Sequence, residues 1–165
     1  MESQTLKSRI RLWLILFIAA LIVSGLTAIP LEWELGLLDQ IVRAIPAMPP
    51  ALIEWIAFVK TGLEDTYRQY PFITYGTDWL AFAHIAIAVA FIGPLRDPVK
   101  NIWVIEFGLI ACALVIPTAL LFGSLRGIPF FWQLIDCSFG VFGFIPLWVC
   151  RRDIRRIEQM EKRAI

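Results

Sequence analysis

The sequence predicts an all-α integral membrane protein, a four-helix bundle with short amphipathic helices in the outer loop between the first and second spans. Three observations predict it. Hydrophobic residues make up 59% of the 165-residue chain, against roughly 45–50% in a soluble domain. They gather into four long runs without period-two alternation, which argues against a β-barrel. Lysine and arginine concentrate at the ends of alternate runs, as orientation in a membrane requires.

A span needs about 20 mostly apolar residues, because a helix rises 1.5 Å per residue through a hydrocarbon core roughly 30 Å thick. The first run, residues 12–31, is uncharged and follows Arg9 and Arg11. It is too long for a signal peptide, and no small-residue cleavage motif follows it. The second, about 72–93, is broken only by Asp78 and His84. The third, 102–122, carries Glu106 and Pro117, and the proline predicts a kink. The fourth, 129–150, carries Asp136. The whole chain, 1–165, reads as a single membrane domain with an outer segment over 32–71 and a tail over 151–165.

Lys7, Arg9 and Arg11, then Arg96 and Lys100, then Arg151, Arg152, Arg155, Arg156, Lys162 and Arg163 fall on one side. The other side holds Arg43, Lys60 and Arg68 against six acids, with Arg126 in the short third loop. The positive-inside rule therefore predicts cytoplasmic N and C termini, in the plasma (inner) membrane. Trp13, Trp103 and Trp148 fall at the expected cytoplasmic border and Trp33 and Trp132 at the outer one, where indole prefers to lie.

Within the outer segment, Leu31 to Ile45 mixes acids with leucine and isoleucine, and Pro46, Pro49 and Pro50 punctuate it. From Pro50, a favourable first-turn position, Leu52, Ile56, Val59 and Leu63 recur at helical spacing. Two short amphipathic helices are expected here, serving as a cap or as a lid or docking surface.

An ionisable side chain within a span costs at least about 2.5–3.5 kcal/mol and asks for a reason. At 100° per residue, Thr74, Thr77, Asp78, Ala81, His84 and Ala88 share a sector about 120° wide, with Trp79, Ala86, Ile87 and Ala90 opposite. The fourth span repeats the pattern with Gln133, Asp136, Cys137, Gly140 and Gly143, and Ile135, Phe139, Phe142 and Ile145 opposite. Small-residue faces allow close helix approach and are expected to point inward. Asp78, His84, Asp136, Gln133 and Thr77 are thus expected to converge in a pocket near the outer face. Glu106 is expected in an interfacial ion pair with Arg96, Lys100, Arg151 or Arg152.

Such a pocket points to binding of a small amphiphilic or cationic ligand, or to relay of ions or protons. One alternative is structural: the same residues specify helix pairing in an accessory subunit of a membrane complex. Another is a membrane enzyme using Asp/His acid–base chemistry. In shape, four spans with acids at membrane depth resemble the EXPERA-domain four-helix proteins, which hold acidic residues in a membrane pocket.

Other classes lose support. A single histidine and no CxxC spacing give no metal site and no cofactor is expected, and Cys112, Cys137 and Cys150 lie in apolar runs as packing residues. A net charge of +1 implies no nucleic acid. The expected partners are membrane lipids, with a small amphiphilic ligand or a membrane protein. The tail from Arg151 reads as a solvated helical extension near anionic headgroups.

Overall fold

The structure is a computed structural model that describes residues 2–163. Met1, Ala164 and Ile165, and with them the end of the expected tail, lie outside the described residues. The helices are α1 (Glu2–Thr27), α2 (Leu31–Ala44), α3 (Pro50–Gln69), α4 (Pro71–Ala90), α5 (Ile92–Arg96), α6 (Ile102–Leu125) and α7 (Phe130–Arg163). Four stretches are long and apolar enough to cross a membrane: Gln4–Thr27, Pro71–Arg96, Ile102–Leu125 and Phe130–Lys162. In hydrocarbon the backbone must satisfy its own hydrogen bonds, and a helix does so within one segment.

Local chemistry sets the boundaries. Pro50 and Pro71 open α3 and α4, where the missing N–H costs no helical bond. At the end of α6, Gly127 adopts φ 70°, a left-handed conformation that glycine enters without a Cβ penalty. The Ile128 N–H then donates to Gly123 O at 2.9 Å and the Gly127 N–H to Ser124 O at 3.3 Å, which closes the helix and reverses the chain.

Two compact units form, Met1–Ala20 with Ile87–Ile165, and Leu21–Ala86. In the first, α6 and α7 pack side by side along their length. Glycine permits the approach: a Cβ at Gly140 would lie 2.5 Å from Cys112 O, and one at Gly143 2.8 Å from Cys112 Sγ. Ile10 and Leu14 of α1, Phe91, Ile105 of α6, and Leu147, Cys150, Ile154 and Ile157 of α7 are buried together in this unit's core. The Phe17 and Phe91 rings meet at 4.8 Å between centroids.

The tail differs from expectation. α7 is continuous for 34 residues, about 50 Å at 1.5 Å per residue, and its residues beyond Cys150 are not simply solvated. Asp153, Ile154 and Ile157 are 0% exposed. Burying each isoleucine from water is worth about 1.5–3 kcal/mol, which holds this part of the helix against the rest of its unit.

In the second unit α2 and α3 pack against each other and bury Leu35, Val42 and Ile56. Asp39 is buried with them and accepts a hydrogen bond from Arg43 Nε at 2.7 Å, with Lys60 Nζ at 3.5 Å. The Arg43 hydrogen bond, reinforced by the charges of Arg43 and Lys60, outweighs desolvation and holds the Asp39 carboxyl below its usual range. Gly25 of α1 lies against α4: a Cβ there would meet His84 Cβ at 2.8 Å and Ala81 O at 3.0 Å.

Candidate functional site

Thr77, Asp78 and His84 share the second unit, and Gln133 and Asp136 share the first. On α4, Ala81 and Ala88 are buried, Thr77 and His84 half-buried, and Trp79, Ala86, Ile87 and Ala90 exposed. The helix thus has the face that its small residues define. Two of its polar side chains are occupied locally. Thr77 Oγ1 donates to Thr74 O at 2.6 Å, and His84 Nδ1 lies 2.8 Å from Leu80 O. A carbonyl only accepts, so this contact places a proton on Nδ1. Asp78 stands at the edge of the face, exposed, with no hydrogen bond or ion pair to a described residue of its own unit.

On α7, Gln133 is 3% exposed and serves the turn it follows. Its Nε2 donates to Ile128 O at 2.7 Å, and its Oε1 accepts from Ser124 Oγ at 3.4 Å. Gly123 leaves room for it, since a Cβ there would lie 2.7 Å from Gln133 Cγ. Asp136, one turn further on, is half-buried and has no hydrogen bond or ion pair to a described residue of its own unit. Gly140 is buried, while Ile135, Phe139, Phe142 and Ile145 are exposed.

Cavities of about 260, 290 and 420 Å³ lie among the described residues of the first unit, and basic residues of α1, α5 and the α7 tail line them. Neither Gln133 nor Asp136 borders any of them. Among the described residues, no three His, Cys, Asp or Glu side chains cluster as metal ligands.

The acids nearer the basic end behave in the opposite way. Glu106 Oε1 accepts from Arg151 Nε at 3.0 Å and from Arg155 Nη2 at 3.2 Å. Arg151 belongs to the expected set and Arg155 does not. The two stand one turn apart and share a face, whereas Arg152 is turned towards Asp153, 3.5 Å away. Asp153 was not singled out from the sequence, yet it makes the tightest pair of the unit. Arg9 Nε and Nη2 donate to its two carboxylate oxygens, each at 2.6 Å. A two-pronged guanidinium–carboxylate pair is both stronger and more directional than a single bond. A signal was present: Leu147, Cys150, Ile154 and Ile157 continue the helical apolar row past the expected end of the span, with Asp153 beside it.

No family model, curated protein or solved structure matches the chain. Its architecture alone defines its class, an all-helical protein with four helices long and apolar enough to cross a membrane. The resemblance in shape to the EXPERA-domain proteins gains nothing from these comparisons.

Proposed function

We propose that the chain is a four-span membrane protein that binds a small amphiphilic or cationic ligand through the carboxylates of Asp78 and Asp136. One observation carries the reading. Glu106 of α6 and Asp153 of α7 are held by arginines, whereas Asp78 and Asp136 have no such partner within their units. An unpaired acid at membrane depth costs about 2.5–3.5 kcal/mol, which a cationic group supplied from outside the chain would offset. His84 adds a titratable group on the same helix as Asp78.

In this reading the four spans pack as a bundle, with α2 and α3 on the outer face and both termini in the cytoplasm. The lysine and arginine bias of the sequence supports that orientation. With a membrane-impermeant maleimide, Thr66→Cys and Ser124→Cys should label from outside; labelling from the cytoplasmic face overturns the topology.

Binding is tested in phosphatidylcholine nanodiscs with a brominated alkyltrimethylammonium probe that quenches tryptophan, Trp79 being adjacent to Asp78. Saturable quenching should fall in Asp78→Asn and in Asp136→Asn and vanish in the double variant. Identical saturation curves for wild type and the double variant sink the proposal. If the double variant binds normally and changes only in thermal stability, the acids serve helix pairing instead.

A further inference from the structure

A cavity of about 260 Å³ opens between the first turns of α1 and the α5 segment. Among the described residues its charged lining is Lys7, Arg11 and Arg96, with Gln4 and Ser8 as neutral hydrogen-bonding groups and no acid. None of the three cations makes an ion pair with a described residue, although much of the surrounding basic surface is neutralised. Arg9 is held by Asp153, Arg151 and Arg155 by Glu106, and Lys100 lies 3.8 Å from Asp97. Lys7 and Arg96 also border the 420 Å³ cavity, where Asp97 and Glu161 stand, but neither acid pairs with them.

Three like charges gathered at one concave surface repel each other, and an anion relieves that repulsion. Guanidinium groups match phosphate geometrically, donating two parallel hydrogen bonds, and lysine adds a point charge. The 290 Å³ cavity is lined by Arg151, Arg152 and Arg155, which are already engaged by Glu106 and Asp153, and by Arg156, so three of its four cations are already paired. It is therefore the weaker anion site.

The rest of α1 distinguishes a lipid phosphate from a free one. Lys7, Arg11 and Ile15 lie at i, i+4 spacing on one helix face. Beyond Arg11, Leu12, Ile15 and Leu16 are 57%, 48% and 51% exposed. The face thus runs from cations to bare apolar surface within two turns, so a phosphate held by Arg11 would lay its acyl chain on Ile15 and Leu16. A free phosphate gains nothing from that surface. Basic pockets bordered by membrane helices at headgroup level suit anionic lipid head groups.

We propose that Lys7, Arg11 and Arg96 form a binding site for the phosphate headgroup of an anionic phospholipid. The site is independent of Asp78 and Asp136.

Native mass spectrometry of the full chain, released from detergent with phosphatidylglycerol or phosphatidylcholine added, tests it. The wild type should retain one phosphatidylglycerol in preference to phosphatidylcholine. Lys7→Gln/Arg11→Gln/Arg96→Gln should weaken that retention on the order of 100-fold, since each basic residue near an anionic headgroup is worth about 1 kcal/mol. A charge-matched control, Arg68→Gln/Arg126→Gln/Arg163→Gln, should retain the lipid. Lys7→Arg/Arg96→Lys, which keeps every charge, should also retain it and exclude misfolding as the cause of loss. Equal retention by the Gln triple variant and wild type overturns the site. Equal loss in the control overturns it too, by reducing the effect to net charge. If millimolar inorganic phosphate displaces the lipid as readily as phosphatidylglycerol itself does, the lipid assignment falls and a free-phosphate site replaces it.

Discussion

Helix α7 carries two aspartates about 25 Å apart along its axis, and their surroundings are opposite. Asp153 is fully buried, gripped at both oxygens by Arg9, and approached by Arg152. Asp136 is half-buried and has no ionic or hydrogen-bonding partner in its unit. The same side chain on the same helix therefore stands in two different settings. Where α1 brings an arginine alongside, the carboxylate ties two distant parts of the chain together. Where no arginine stands alongside, as at Asp136, the carboxylate is left without a counter-charge in its unit. Sharing a helix does not make two acids equivalent; what the neighbouring helix presents decides.

The sharpest way to break this comparison is to replace the paired acid. Asp153→Ala should destabilise the protein by about 3 kcal/mol, the lower end for breaking a buried pair, because Arg9 is 41% exposed and can rehydrate. Thermal unfolding in detergent measures it, and an unchanged midpoint would mean that the pair ties nothing together. A smaller loss, about 2 kcal/mol, is expected for Gly140→Ala, because its Cβ would press on the Cys112 carbonyl at 2.5 Å and backbone cannot step aside. Gly143→Ala should cost about half as much, since its nearest neighbour is the Cys112 Sγ at 2.8 Å, which can rotate. Equal costs at both positions would show that the α6–α7 contact yields freely.

Asp136→Asn should lower stability by no more than about 0.5 kcal/mol, because no partner in its unit is lost and the cost of an unpaired acid is relieved. A drop as large as that of Asp153→Ala would reveal a structural role and erase the contrast between the two acids. The smallest expected effect is a pH dependence at Asp39. Its pKa is depressed below the ordinary 3.8, so its contribution is fully present above that value and fades as pH falls through the lower, folded-state value. Limited proteolysis between α2 and α3 should accelerate only in that acid window, and Asp39→Asn should remove the dependence. Acceleration starting near neutral pH would implicate another group.

Much of the architecture was legible because membrane insertion is decided by local composition. A run of about twenty apolar residues must be helical in hydrocarbon whatever its neighbours are. The inward stripe of α7 was legible for a related reason: Gln133 and Gly140, two helical turns apart, are both buried. Less legible was what those residues do. Gln133 was grouped with a pocket, yet its amide closes the α6–α7 turn through Ile128 and Ser124, a contact that depends on Gly127 reversing the chain.

Spans, helix faces and charge bias follow from the order of residues alone, because each depends on neighbours within one or two turns of the same helix. The pairing of Arg9 with Asp153 joins residues 144 positions apart, and no periodicity encodes such a meeting. The same holds for the partition of arginines between Glu106, Asp153 and the open cavity beside α1 and α5. Which acids are satisfied and which cations remain free was decided only when the tertiary structure brought distant helices within the few ångströms over which a hydrogen bond acts.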